Sequence, residues 1–231
     1  MEQMNLWDFI YFTLRSSLEY IAIIALMFTL FKIEYKHMKY QIGFVCLILS
    51  YVSYTTRLEG LTSISPMVQL VLLILFVWLL FQIQVFYAAL ISIVGYHVYG
   101  GIQSILAIIM EFLGALSLDN PNLMALPFTI LAVLSSVSVL LISYIIKKNN
   151  WGFTFVPHSP HRKVKLGKDK NRVVLIVILF GIVLFGISYY FTYVRNLPEL
   201  VYLLTIVNIV ISILVIYYAI RKETNEDSVD G

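Results

Sequence analysis

Long apolar segments recur along almost the whole 231-residue chain, and they constrain its fold more than any other feature. A helix needs about 20 predominantly apolar residues to cross the hydrocarbon core of a bilayer. The composition agrees, because 60% of the residues are hydrophobic and only 13% are charged. The sequence therefore predicts an all-α, polytopic transmembrane helix bundle that forms a single domain over residues 1–231. Its seven predicted spans are 9–31, 41–55, 66–81, 85–116, 126–146, 173–193 and 201–220.

The distribution of basic residues predicts the orientation of this bundle. If the seven spans alternate, one side holds three Lys in 32–40, eight Lys or Arg in 147–172 and two after residue 220. The opposite side holds only Arg57 and Arg195. Basic loops stay in the cytoplasm as a rule. We therefore expect an N-terminus outside the cell and a cytoplasmic C-terminus.

The basic cytoplasmic loop 147–172 is the longest polar part of the chain. Each Lys or Arg near an anionic membrane surface adds about 1 kcal/mol of attraction, so we expect this loop to lie against anionic lipid headgroups. Its short length and its attachment to spans at both ends argue against a nucleic-acid partner. The abundance of Ile, Tyr, Phe and Lys is typical of an AT-rich bacterial genome. We expect a multi-pass protein of the bacterial plasma membrane.

Two charged residues, Arg15 and Glu19, lie inside the first predicted span. They are four residues apart, so on a helix they share a face and can pair. Pairing reduces the cost of placing charge in lipid. One interpretation is a polar pocket that faces the outside. The alternative is an interfacial pair whose side chains extend toward the outer headgroups, because it lies about two to three turns from the N-terminus.

The fourth predicted span contains aromatic and polar residues around Gly100-Gly101. Tyr96, Tyr99 and Gln103 share one helical face, and Glu111 falls close to it. Such a face must look into the bundle, as a ligand pocket or a polar hinge. The alternative is interhelical hydrogen-bond packing in which small residues allow close approach. The length of the segment and its two glycines also predict a kink or a tilt.

Signatures of catalysis are absent from the sequence. It has no glycine-rich phosphate loop, no nucleophile elbow and no paired-histidine metal motif, and His97 lacks a second ligand one turn away. The single cysteine, Cys46, lies in an apolar run, which excludes a disulfide framework. We therefore expect a protein that is not an enzyme and that binds no cofactor and no metal.

A pattern of aromatic, glycine and charged residues extends over most of the chain, in Leu18-Glu19-Tyr20, Leu30-Phe31-Lys32, Ser65-Pro66 to Phe81, Phe86-Tyr87 with Gly95-Tyr96 through Gln103, and Trp151-Gly152-Phe153 to Lys165. These segments resemble the multi-span membrane sensor region of accessory-gene-regulator-type (GHKL) peptide-sensing histidine kinases, and kinase-less membrane proteins similar to it. The resemblance implies a bundle whose outer half receives a secreted peptide. In such kinases the last helix passes a signal to a cytoplasmic dimerisation and ATP-binding module. This sequence has no ATP-binding glycine boxes, so we expect sensing to need a partner kinase or to act by sequestering the ligand.

The leading hypothesis is a non-enzymatic integral membrane protein with a sensor-like helix bundle, in peptide sensing or an accessory role in signal transduction. Its predicted polar interior is lined by Arg15, Glu19, Tyr96, Tyr99, Gln103 and Glu111. One alternative is a small transporter or permease subunit, in which Gly100-Gly101 and His97 belong to a substrate path. Another is a scaffold subunit of a membrane enzyme complex.

Overall fold

The computed structural model describes residues 6–35, 37–61, 64–116, 126–154, 156, 206, 207, 210 and 217. These residues form helices and no strand, which confirms the predicted all-α class for this part of the chain. The predicted span 173–193 and residues 157–172 of the basic loop lie outside the described residues. The four described residues within 201–220 are all helical. The five continuous helices are α1 (Leu6–Leu30), α2 (Lys39–Leu58), α3 (Ser65–Leu79), α4 (Val85–Phe112) and α5 (Leu126–Lys148).

Three of these helices, α1, α4 and α5, are long and apolar enough to cross a membrane. The helix α3 is apolar but has 15 residues, which is about 22 Å at a rise of 1.5 Å per residue. The helix α2 has 20 residues and is the least hydrophobic of the five. The described part therefore contains three candidate membrane spans. Seven spans and their orientation stay predictions.

Each helix is followed by a residue with positive φ, which reverses the chain direction and fixes the helix end. In α1, the N–H of Ile33 donates to the carbonyl of Phe28 and the N–H of Lys32 donates to that of Thr29, the pattern of a Schellman motif. The same pair of bonds closes α2, α4 and α5. These bonds satisfy carbonyl groups that have no partner within the helix. The residues with positive φ that follow the five helices are Lys32, Gly60, Gln82, Gly114 and Asn150.

The five helices pack as a ring in chain order, with α5 returning to contact α1, and α1 also contacts α4. Most residues of α1 from Ala22 to Leu30 are consequently buried. At the contact with α4, a Cβ atom on Gly95 would overlap the side chain of Met27, whereas nothing lies within 4 Å of a Cβ on Gly100 or Gly101. The close approach of α1 and α4 is therefore made at Gly95. The helix α4 is continuous through Gly100 and Gly101.

An aromatic core fills the half of the bundle in which α1 ends, which we call the aromatic half. The rings of Phe28 and Phe81 stand edge to face at 5.0 Å, and those of Phe31 and Phe153 lie 5.6 Å apart. The backbone N–H of Phe153 also donates to the carbonyl of Leu30 at 2.7 Å. The segment that follows α5 is therefore fixed against the end of α1.

The outer surface of the described bundle is largely apolar. On α5, large hydrophobic side chains are exposed along most of the helix, and α1, α2 and α3 each expose several more. Large contiguous apolar surfaces are rare on soluble monomers and mark contact with lipid or protein. This surface agrees with a bundle that lies in a membrane. The exposed side chains on α5 include Leu126, Ile130, Val133, Leu134, Val137, Leu141 and Tyr144.

Candidate functional site

Two arginines, one from α1 and one from α2, stand over the ring of Phe12, and a glutamate on α1 pairs with the first of them. Arg15 Nε lies 3.8 Å from Glu19 Oε1, one helical turn further along α1. The guanidinium carbons of Arg15 and Arg57 stand over the Phe12 ring, 5.2 and 4.9 Å from its centroid. Glu19 interacts electrostatically with both arginines. We call Arg15, Glu19 and Arg57 the charged cluster.

The charged cluster faces the interior of the bundle. Only 8% of the Arg15 side chain and 21% of the Glu19 side chain are exposed, and Arg57 is half-buried. Arg15 also donates from Nη1 to Thr129 Oγ1 on α5, at 3.3 Å. These contacts support the interpretation of Arg15 and Glu19 as part of a polar interior. They do not fit a pair that extends along the helix surface toward the headgroups.

Side-chain hydrogen bonds join each helix to the next around the ring, and they lie at mid-helix or in the half of the bundle where α1 begins. We call this half the polar half. In a bilayer such interhelical bonds contribute about 0.6 kcal/mol each on average, so their common location matters more than any one of them. The bonds are Ser17 to Ser50 at 3.1 Å, Thr56 to Ser65 at 2.7 Å, Tyr96 to Gln69 at 3.4 Å, Tyr99 to Ser136 at 3.4 Å, and Arg15 to Thr129.

The two tyrosines predicted to line the site belong to the same region. Tyr99 interacts electrostatically with Arg15 and Glu19, and its hydroxyl lies at hydrogen-bond distance from Ser136 on α5. Tyr96 donates to Gln69 Oε1 on α3, and the Nε2 of that amide donates to Ser65 Oγ at 2.7 Å. The two tyrosines therefore connect the charged side of the polar half with α3 and α5.

The remaining two predicted residues lie further along α4. Gln103 is half-buried one turn beyond Tyr99. Glu111 lies one residue before the end of α4, about 18 Å along the helix from Tyr99 at a rise of 1.5 Å per residue. The helix α4 ends in the polar half, since Met110 packs with Leu131 of α5, two residues beyond Thr129. All six predicted residues therefore lie at mid-helix or in the polar half, with Glu111 at the helix end. As ligand-binding residues, all six stay predictions.

Sequence reasoning missed Arg57, because the second span was predicted to end at residue 55 and Arg57 to lie in the turn that follows. In the structure α2 continues to Leu58, so Arg57 stands in its last turn. Gly60 adopts φ +72 and closes the helix. A glycine two residues after Leu58 is a usual signal for this kind of helix end. That signal places Arg57 inside the helix.

The charged cluster offers cationic hydrogen-bond donors and one carboxylate. Two guanidinium groups face one carboxylate, so the cluster carries an excess of one positive charge. Among the described residues, no group of three or more His, Cys, Asp or Glu side chains is placed to hold a metal ion. Comparison with known proteins finds no matching family model, no matching curated protein and no matching solved structure.

Proposed function

We propose that this protein is a non-enzymatic, multi-pass protein of the bacterial plasma membrane whose polar half receives a ligand from outside the cell. In this proposal it crosses the membrane seven times, with its N-terminus outside. Its role is peptide sensing or an accessory step in signal transduction, with a partner kinase or by sequestering the peptide. The observation that carries the proposal is the charged cluster, which lies inside a bundle whose outer surface is apolar.

The free-energy cost of placing charged side chains in a membrane supports a functional role for the charged cluster. Ionised side chains within membrane segments cost several kcal/mol and generally mark ligand or ion sites. A purely structural pair would need only Arg15 and Glu19, yet α2 supplies a further cation to the same ring of Phe12. A third charge at one place is not needed to hold α1 against α2, because Ser17 and Ser50 already join them.

The proposed orientation gives the polar half access from outside. With the N-terminus outside, α1 begins at the outer surface, and the polar half is then the outer half of the bundle. The transport alternative assigns Gly100-Gly101 and His97 to a substrate path, and α4 is continuous through the two glycines. This continuity removes one of the two features on which the transport alternative is based.

A photo-crosslinking experiment tests the proposal. A photoreactive phenylalanine analogue would replace Tyr96, which is half-buried in the polar half, or Tyr144, which is 64% exposed on the outer face of α5. After irradiation in the native membrane, the tagged protein is purified and its adducts are identified by mass spectrometry. We expect a peptide adduct at position 96 and only lipid adducts at position 144.

Two results would count against the proposal. One is an adduct pattern that is the same at positions 96 and 144. The other is the absence of any peptide adduct at position 96 in membranes from cells that secrete their normal set of peptides. Recovery of a kinase with the purified protein would further support the role in signalling.

A further inference from the structure

Arg57 has buried donors that the rest of the described bundle does not satisfy. Its Nε and Nη1 atoms are buried, and among the described residues they have no hydrogen-bond acceptor. Buried N–H groups in native proteins almost always have a partner, which is a protein group, an ordered water or an ion. A cationic donor left alone is more costly than a neutral one. These atoms therefore require an acceptor.

Glu19 does not supply the acceptor that these Arg57 donors require. Its carboxylate forms an ion pair with Arg15, and among the described residues Arg57 forms none. Arg57 therefore has no ion-pair partner among the described residues, although Glu19 acts on it at longer range, and the guanidinium groups of Arg15 and Arg57 both stand over the ring of Phe12. An anion that enters here would gain from both positive charges.

We propose that Arg57, with Arg15 beside it, binds an oxyanion, the carboxylate or phosphate group of a ligand that enters the polar half. This inference rests on the proposed function, because it names the chemical class of the group that the charged cluster receives. A guanidinium group offers a planar fork of donors that matches the two oxygens of a carboxylate or phosphate.

The surroundings of Arg57 strengthen an oxyanion contact and add an apolar contact beside it. The ring of Tyr54, one turn earlier on α2, packs at 5.4 Å from Phe12 and at 5.1 Å from Phe9. These rings keep water away from one side of the guanidinium groups, and charge-assisted bonds are stronger where water is excluded. The site therefore suits an anionic group carried on an apolar or aromatic body.

Thermal stability of the purified full chain in dodecyl maltoside tests the proposal, because this detergent carries neither phosphate nor carboxylate. Sodium phosphate or sodium acetate is added at constant ionic strength, with chloride as reference. We expect a rise of about 2 to 4 °C in the thermal midpoint at an anion concentration about five times its Kd. The rise should be absent in Arg57→Gln and present in Lys39→Gln, which removes an exposed cation at the other end of α2.

An equal rise in wild type and Arg57→Gln would overturn the proposal, as would no rise in wild type with either anion. If Arg57→Gln does not fold, Arg57→Lys keeps the charge and loses the planar fork. We then expect a smaller rise in Arg57→Lys than in wild type, and an equal rise would overturn the bidentate contact.

Addition of phosphatidylglycerol to the micelles distinguishes the two sources of an oxyanion. If a lipid headgroup occupies the site, phosphatidylglycerol raises the midpoint through Arg57 and free phosphate then adds nothing. If a free ligand occupies it, the response to phosphate persists. A peptide adduct at Tyr96 without any anion response would overturn only this inference, whereas an anion response without an adduct would count only against the peptide-sensing proposal.

Discussion

The contact between Gly95 and Met27 predicts a specific sensitivity of the α1–α4 interface. A Cβ atom at position 95 would overlap Met27 Cγ, and Met27 is fully buried, so its side chain has little room to move. Overpacking a core costs about 1–3 kcal/mol, while replacing a helical glycine by alanine gains up to about 1 kcal/mol. We expect Gly95→Ala to destabilise the protein by about 1 to 2 kcal/mol, which lowers the thermal midpoint by about 2 to 8 °C.

Circular dichroism during thermal unfolding in dodecyl maltoside measures this effect. The matched control is Gly100→Ala, five residues along the same helix, where nothing lies within 4 Å of the added Cβ and a small gain in stability is expected. Met27→Ala removes the overlapping atoms, so in that background Gly95→Ala should cost at least about 1 kcal/mol less. The reasoning is refuted if Gly95→Ala and Gly100→Ala shift the midpoint equally, or if Met27→Ala leaves the cost of Gly95→Ala unchanged.

Two further predictions concern the aromatic half. Gly152 has φ +133, and a Cβ there would lie 2.8 Å from a backbone carbonyl oxygen of α1. We therefore expect Gly152→Ala to destabilise the protein by about 2 kcal/mol or more. In the same unfolding assay the control Gly43→Ala, in open space on α2, should be neutral or stabilising. Lys147 Nζ stands 4.7 Å from the centroid of the Tyr35 ring, so Lys147→Ala should lower the free energy of unfolding by about 0.5–1 kcal/mol. An equal effect of Lys148→Ala, at the next position, would show that the ring contact contributes nothing.

The positions of the helices were predictable, because they depend on local apolar runs and on end signals. All five described helices coincide in position with predicted spans, and their boundaries differ from the predicted ones by zero to four residues. Glycine at positions 60 and 114 is a readable stop signal. Lys32 and Gln82 give no such signal in the sequence, because a residue with a side chain adopts positive φ only where the surrounding structure requires it. Such ends depend on tertiary contacts that one sequence does not reveal.

Which residues form the site was largely predictable, but which residues they contact was much less so. The spacing of Arg15 and Glu19 predicts their pairing, since both stand on one helix. Nothing local predicts that Arg57, 42 positions after Arg15, stands over the same ring. The contact exists because α2 returns antiparallel to α1 and its last turn reaches the level of Phe12. The same limit applies to glycine, since which helix a small residue approaches depends on how the bundle is arranged.

The two halves of the bundle differ in the kind of contact that holds neighbouring helices together. Apolar packing is non-directional, and in lipid it gives a helix little reason to prefer one apolar neighbour over another. A hydrogen bond such as that between Tyr96 and Gln69 is directional and requires one particular helix at one particular height. The ring of polar bonds thus specifies the order of the helices in the polar half, and edge-to-face rings such as Phe28 and Phe81 fill the aromatic half. Because the charged cluster lies among these directional bonds, the contacts that specify the fold and those that would bind an anion occupy the same half of the molecule.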